Sequence, residues 1–338
     1  MTPRPISRRA FVALSSATTW GLISPSSWAS TPAHYPKTLK IVVPYSTGGG
    51  TDIIARHLAE RLRIQTGVMT LVDNKPGANG VIGTDLVAKS VPDGSTLVLV
   101  VNTHLLNPLL MSKMPYDTFK DLKGVTQVAV SPLVLVTSVK NEGGNAREFL
   151  SAVRKSKANV SYGSSENMTR LVGSMFVKTS NLDAVHIPYK GGGPLMTDVA
   201  AGVTMLGVTS VLSAKQLIDS GRLKALAITG TERSKILPDT PTFKEMGMEG
   251  FDKVTTSYSL YGPSAIPTET LNALQGAVAD VLATADMRGI LAAQAATPGP
   301  PGTTCPPRCT KTWSSCSTSW ACLGRSPRTR PRGSSASP

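Results

Sequence analysis

The stretch Ile41-Val42-Val43-Pro44-Tyr45-Ser46-Thr47-Gly48-Gly49-Gly50-Thr51-Asp52 runs straight into an amphipathic segment, and few folds accommodate that order. The β-branched run reads as a buried strand. Three glycines then let the backbone turn without Cβ clashes. From Ile53 to Gln65, Ile54, Ala55, Leu58, Ala59 and Leu62 share one helical face, while Arg56, Glu60 and Arg63 point away. The glycines therefore sit at a helix N-terminus, where free N–H groups and the macrodipole attract an anion. Hydroxyls of Ser46, Thr47 and Thr51 surround the same spot.

Three occupants compete for this loop. A dinucleotide fingerprint would put its third small residue on Ile53, although Asp73 at the end of the next strand mimics a ribose-binding acid. A P-loop would end Gly-Lys-Ser/Thr, and none follows. Asp52 in the first helical turn repels a doubly charged pyrophosphate, caps free N–H groups and tolerates a monovalent carboxylate better. A Gly-rich turn with no ligand is the bland alternative.

The two ends of the chain differ from its middle. Residues 1–29 read as an export signal: Arg4, Arg8 and Arg9 precede the mildly apolar Phe11–Ile23, and Ser27-Trp28-Ala29 offers a cleavage point. Ser7-Arg8-Arg9-Ala10-Phe11 also resembles a twin-arginine signal, so either export route is open. A periplasmic location follows. Residues 298–338 contain no Val, Ile, Phe, Asp or Glu, and they hold all four cysteines, Cys305, Cys309, Cys316 and Cys322. Such a composition cannot bury enough apolar area to order itself. The cysteine spacing is not C-x-x-C and no histidine is near, so no metal is expected. Codons exist for Cys305–Gly324 that read, two bases on, as a cysteine-free amphipathic helix, and we read this disordered tail as frameshifted. The net charge of +14 includes three signal arginines and six basic tail residues, which leaves +5 for residues 31–297. That excess suits a small anion and argues against nucleic acid.

Between the ends, strands and helices alternate. Thr96–Val101, Leu133–Ser138, Ala184–Ile187, Met205–Val208 and Lys224–Thr229 read as buried strands. Residues 146–155, 169–179, 194–201 and 212–220 read as amphipathic helices. This alternation predicts a mainly parallel sheet covered by helices, with ligands at the carboxyl ends of strands.

Several motifs follow in order: Tyr35-Pro36, Ile41–Pro44, Gly48–Asp52, Val72–Gly80, Pro92–Leu97, Asn107-Pro108, Pro115–Asp117, His186–Gly191, Gly221–Ala227 and Leu237–Thr242. Together they resemble the Bug-type extracytoplasmic receptors of tripartite tricarboxylate transporters over residues 35–297. The resemblance implies an α/β, two-lobed type II periplasmic-binding-protein fold with crossover strands and a ligand cleft between lobes. Lobe 1 is expected at residues 30–128 and 254–297, and lobe 2 at 129–253. The function implied by the same resemblance is to bind a small organic carboxylate and deliver it to membrane permease subunits, as a monomer without a cofactor.

By that resemblance Tyr45, Ser46, Thr47, Gly48, Gly49, Gly50 and Asp52 hold a carboxylate from lobe 1. Ser164 and Ser165, after Tyr162, and Tyr189 with Lys190 contribute from lobe 2, with Thr209 beside them. Amphipathic rings such as Tyr45 and Tyr189 suit an organic-acid pocket. Lys190 also reads as a solvated surface lysine, and His186 and His57 as structural or exposed. The chain departs from the family at Ser164–Leu171, a loop with fewer glycines in which Glu166 adds a negative charge. Arg170 there is positioned to offset Glu166 or to pair with a carboxylate. Thr209 and Ser210 replace a common Phe-Asp pair. The second class of function is an exported dinucleotide-dependent oxidoreductase using Gly48–Gly50 and Asp73. No G-x-S-x-G elbow, H-E-x-x-H or Cys/His dyad marks the core as any other enzyme.

Overall fold

The computed structural model describes residues 35–156 and 159–299. β1 (Thr38–Val43) is buried at Ile41, Val42 and Val43, so both its faces are covered, as a central parallel strand requires. α1 (Gly50–Thr66) packs Ile54, Ala55, Leu58, Ala59 and Leu62 inward. It ends where Gly67, at φ 72°, turns its N–H back to Arg63 O. β2 (Met69–Asn74) lies parallel to β1 on one side. α2 (Val81–Ala88) leads to β3 (Thr96–Val101), parallel on the other side, and α3 (Thr103–Leu110) follows.

β4 (Leu122–Ser138) then runs through both halves of the molecule. After it come α4 (Ala146–Ser156), β5 (Val160–Ser164), α5 (Asn167–Thr179) and β6 (Ala184–Pro188). The second half closes with α6 (Gly192–Ala201), β7 (Leu206–Ser210), α7 (Val211–Asp219) and β8 (Leu223–Ile228). β9 (Thr255–Pro263) returns to the first half, where α8 (Thr268–Ala283), α9 (Ala285–Ala292) and β10 (Thr297–Pro298) complete the described chain.

The first lobe orders its strands β2-β1-β3-β9-β4, and the second β6-β5-β7-β4, with β8 and β10 also on β4. β4 pairs β9 up to Pro132 and pairs β7 and β8 from Leu133 onward, inside the segment expected for lobe 2. The expected mainly parallel sheet needs correction. Pairings among β1, β2, β3 and among β5, β6, β7 are parallel, but every pairing through β4 or β9 is antiparallel. Strand direction is set by the long crossings, and a residue pattern of period two does not encode it.

Each lobe has its own core. Leu58 and Leu62 of α1 meet Leu271, Leu274 and Val278 of α8 over the first sheet. Phe149, Phe176, Phe243 and Phe251 fill the second, with Phe243 and Phe251 stacked at 4.2 Å. Each such buried side chain contributes about 1.5–3 kcal/mol. Thr297 and Pro298 pair with Val130 and Ala129, and Gly299 N–H donates to Val128 O at 3.0 Å, so the chain is still in the sheet at Gly299. The export signal and residues 300–338, cysteines included, lie outside the described residues. Among the described residues no helix is long and apolar enough to cross a membrane.

Candidate functional site

β1, β5, β6 and β7 all point their carboxyl ends at one chamber, and a helix follows each within a few residues. The chamber has a volume of about 30 Å³. Its wall contains Gly49 and Gly50 before and in α1, Ser165 and Glu166 before α5, Gly191 and Gly192 at the start of α6, and Thr209 and Ser210 before α7. Four helix N-termini therefore converge on one small space. Their partial positive charges add there, without any Lys, Arg or His in the wall. Tyr45, Thr51, Val101, Ser213, Thr256 and Tyr258 complete the lining.

The lobes touch on both sides of this chamber. Gly50 N–H donates to Ser213 Oγ at 2.7 Å, and Ser46 N–H donates to Lys190 O at 3.1 Å. Across the opposite rim Thr103 Oγ1 donates to Glu166 Oε2 at 2.6 Å, and Asn167 Nδ2 donates to Asn107 Oδ1 at 3.2 Å. Glycine is required at two of these contacts. A Cβ on Gly50 would stand 2.5 Å from Ser210 Oγ and 2.7 Å from Tyr258 Oη, and one on Gly193 would drive into the Thr47 carbonyl. The arrangement is a closed cleft.

Polar groups in the wall are buried without full compensation. Tyr45 Oη and Thr256 Oγ1 are buried, Tyr45 with the Val101 backbone near it and Thr256 with the Tyr258 phenol near it. Burial pushes the Tyr45 phenol well above its ordinary value, and the nearby Glu166 charge adds to that. Burial likewise raises Tyr258 against the opposing Ser210 hydroxyl. Glu166 is 8% exposed, and burial pushes its carboxyl up to about 7 despite the Thr103 hydrogen bond.

Of the residues expected at the site, Tyr45, Gly49, Gly50, Ser165 and Thr209 line the chamber. The others stand outside the wall, each with a different part to play. Asp52 anchors the glycine loop: its carboxylate accepts from Gly48 N–H, Arg56 Nε and Asn74 Nδ2, all at 3.0 Å. Burial would raise Asp52, but the Arg56 hydrogen bond, with Gly48 and Asn74, holds it below the usual carboxylate range. Gly48 supplies one of those N–H groups, Ser46 the contact to Lys190, and Thr47 the carbonyl that faces Gly193. Ser164 Oγ bonds His186 Nε2 at 2.8 Å. Tyr189 Oη donates to Asp198 Oδ2 at 2.8 Å and bonds Thr204 Oγ1 at 2.6 Å, packed against the second-lobe core. The Lys190 side chain is exposed. One role expected for Arg170, offsetting Glu166, needs correction, because its side chain is exposed and forms no ion pair with that acid. Asp73 pairs with Lys75 at 3.2 Å and does not reach the chamber.

The sequence reading missed Ser213, Thr256 and Tyr258. The latter two belong to β9, whose Thr256, Tyr258 and Leu260 are buried while Thr255, Ser257 and Ser259 are not. That period-two pattern was the available signal. Among the described residues no three His, Cys, Asp or Glu side chains are grouped to hold a metal ion.

Comparison with known proteins places this geometry in company. A family model described as the tripartite tricarboxylate transporter family receptor matches residues 54–299. Protein BugT of Bordetella pertussis is 32% identical over 83% of this chain and 86% of its own length. The solved structure of Rhodopseudomonas palustris Rpa4515 with adipate is 29% identical, with a TM-score of 0.74 over 78% of this chain and 88% of that one. MatC from the same organism, with bound malate, is 27% identical, with a TM-score of 0.71 over 77% of this chain and 89% of that one.

Proposed function

The chain belongs to the tripartite tricarboxylate transporter receptor family, whose members are solute-binding receptors rather than enzymes, and from that premise we propose how it works. It is a periplasmic receptor that closes two lobes on a small organic carboxylate and presents the closed form to a membrane permease. The observation that carries this reading is the convergence of four helix N-termini on a chamber without a cationic side chain. Backbone N–H groups and helix dipoles hold a carboxylate there, as they hold other anions. Malate and adipate in two relatives support the ligand class.

β4 and β9 are the hinges, since they join the lobes. A chamber of about 30 Å³ has room for roughly two water-sized centres, so a four-carbon acid holds the lobes slightly farther apart. Tyr45, Gly49, Gly50, Ser165 and Thr209 contact the ligand, while Ser46, Lys190 and Gly193 seal the cleft.

The test is a thermal-shift screen of the purified chain against mono-, di- and tricarboxylates, acidic amino acids and NAD. A ligand at about 100 times its Kd adds roughly 2.7 kcal/mol, which moves Tm by several degrees. The expected result is a shift with a carboxylate that is lost in Gly193→Ala, which still unfolds cooperatively because the clash lies between the lobes and Gly193 is inside α6. A shift with NAD alone overturns the receptor reading.

A further inference from the structure

Glu166 is the one carboxylate in the chamber wall, and among the described residues no cation neutralises it. It is buried, it caps the N-terminus of α5, and its side-chain contact across the cleft is the Thr103 hydroxyl. Arg170, one turn along the same helix, is exposed and does not return to it. A second negative charge in a space built for an anion is costly unless the occupant compensates it.

Resting on the receptor reading above, we propose that the solute carries both charges: a carboxylate for the helix N-termini and a cationic nitrogen for Glu166. The solute is thus an amino-bearing organic acid rather than a plain dicarboxylate. Two further observations fit this division. The Tyr45 hydroxyl, beside the Val101 backbone, and the Thr256 hydroxyl, beside the Tyr258 phenol, are buried in residues of the wall, and a hydroxyl can accept from an ammonium group or donate to a carboxylate. Thr103, the hydroxyl across the cleft from Glu166, donates to Oε2 and brings no charge to it. The competing chemistry is a protonated Glu166 donating to a second carboxylate of the ligand. A neutral Glu166 brings no charge of its own, so that chemistry prefers the plain dicarboxylate over the amino acid. Discrimination by an unpaired buried group is strong, because a ligand lacking the complementary charge leaves that group uncompensated.

The experiment is calorimetric titration of the purified chain with pairs that differ in one group: β-alanine and succinate, γ-aminobutyrate and glutarate, aspartate and malate. The expected result is that an amino member binds at least tenfold more tightly than its partner. Glu166→Gln then lowers the affinity for that amino member about 30-fold or more, while its partner changes little. Should Glu166→Gln not fold, the parent protein answers alone. Amino-acid affinity rises between pH 5.5 and 8, where the ligand ammonium stays charged. The ionisable side chains facing Glu166 are the Tyr45 and Tyr258 phenols, both held neutral there, and Arg170 of its own helix is exposed. His186, bonded to Ser164, is held below its ordinary value by burial and by Arg170. Tighter binding of a dicarboxylate partner, weakening as pH rises, overturns the proposal and leaves the receptor reading standing. An unchanged preference in Glu166→Gln also overturns it. Failure of every carboxylate to bind overturns both.

Discussion

Asp52 and Glu166 are both carboxylates at the N-terminal end of a helix beside the cleft, and their surroundings differ in every respect. Asp52 accepts three hydrogen bonds at 3.0 Å, one from a guanidinium, and is held below the usual carboxylate range. Glu166 has a hydroxyl donor in Thr103 and is pushed up to about 7 by burial. The satisfied acid builds a loop. The other, which caps α5 and accepts from Thr103 but has no cationic partner among the described residues, lines the chamber. Position at a helix end therefore does not assign a role to an acid here; the donors around it do.

The largest expected effect breaks the comparison at Glu166. Its ordinary value is 4.5 and its closed-cleft value about 7, so the closed form is favoured fully below the ordinary value and loses favour as pH rises through 7. The cost of closing on an ionised Glu166 reaches about 3 kcal/mol. Small-angle scattering of the ligand-free protein should show a compact particle near pH 5 and an expanded one near pH 8.5. Glu166→Gln should stay compact at both. Equal radii for the parent at the two values would remove the contrast with Asp52.

A smaller effect, of opposite sign in pH, is expected at Asp52. Its lowered value means that its stabilisation is present above the ordinary carboxylate range and is lost on acidification through its own value. Asp52→Ala removes the anchor of Gly48 and takes the carboxylate from Arg56, which keeps Asn74 Oδ1 at 3.1 Å. Because Arg56 is 54% exposed, water compensates it in part, and the expected cost is about 2 kcal/mol rather than that of a fully buried pair. Denaturant titration should show that loss at pH 7 and a difference from the parent that shrinks as pH falls below the ordinary carboxylate range. A variant with unchanged midpoint at pH 7 would mean that the glycine loop holds its shape without the acid.

Only part of this contrast was legible in the residues. Asp52 announced its place, since a β-branched run, three glycines and a helical apolar face are short-range signals that leave one register. The apolar run Leu133–Ser138 reads as a strand, but its continuation back to Leu122 does not, because Lys123, Gly124 and Gln127 break the pattern. β9 was missed because it is built largely of small hydroxyl residues, and with it went Thr256 and Tyr258. Tyr189 looked like a pocket ring, yet Asp198 and Thr204, one helix away, take its hydroxyl. For Glu166 the charge was visible and the burial was not. Ser165-Glu166-Asn167 reads as a surface turn, and the burial comes from Thr103, more than sixty residues earlier, closing over it from the other lobe.

The smallest expected effect sharpens the comparison. Arg170 sits one turn after Glu166, the spacing at which an acid and a base on a helix surface usually pair. Here Glu166 precedes the helix and turns into the chamber, while Arg170 faces solvent and acts on His186, whose value it lowers after the larger effect of burial. Arg170→Ala should therefore change stability by less than about 0.5 kcal/mol, as exposed substitutions do. Ligand affinity should stay within about twofold of the parent, a difference of less than about 0.5 kcal/mol. One reading should move: the His186 titration followed by NMR shifts upward once the neighbouring cation is gone. If affinity instead drops tenfold, Arg170 serves as the missing counter-charge, and Glu166 becomes a second Asp52.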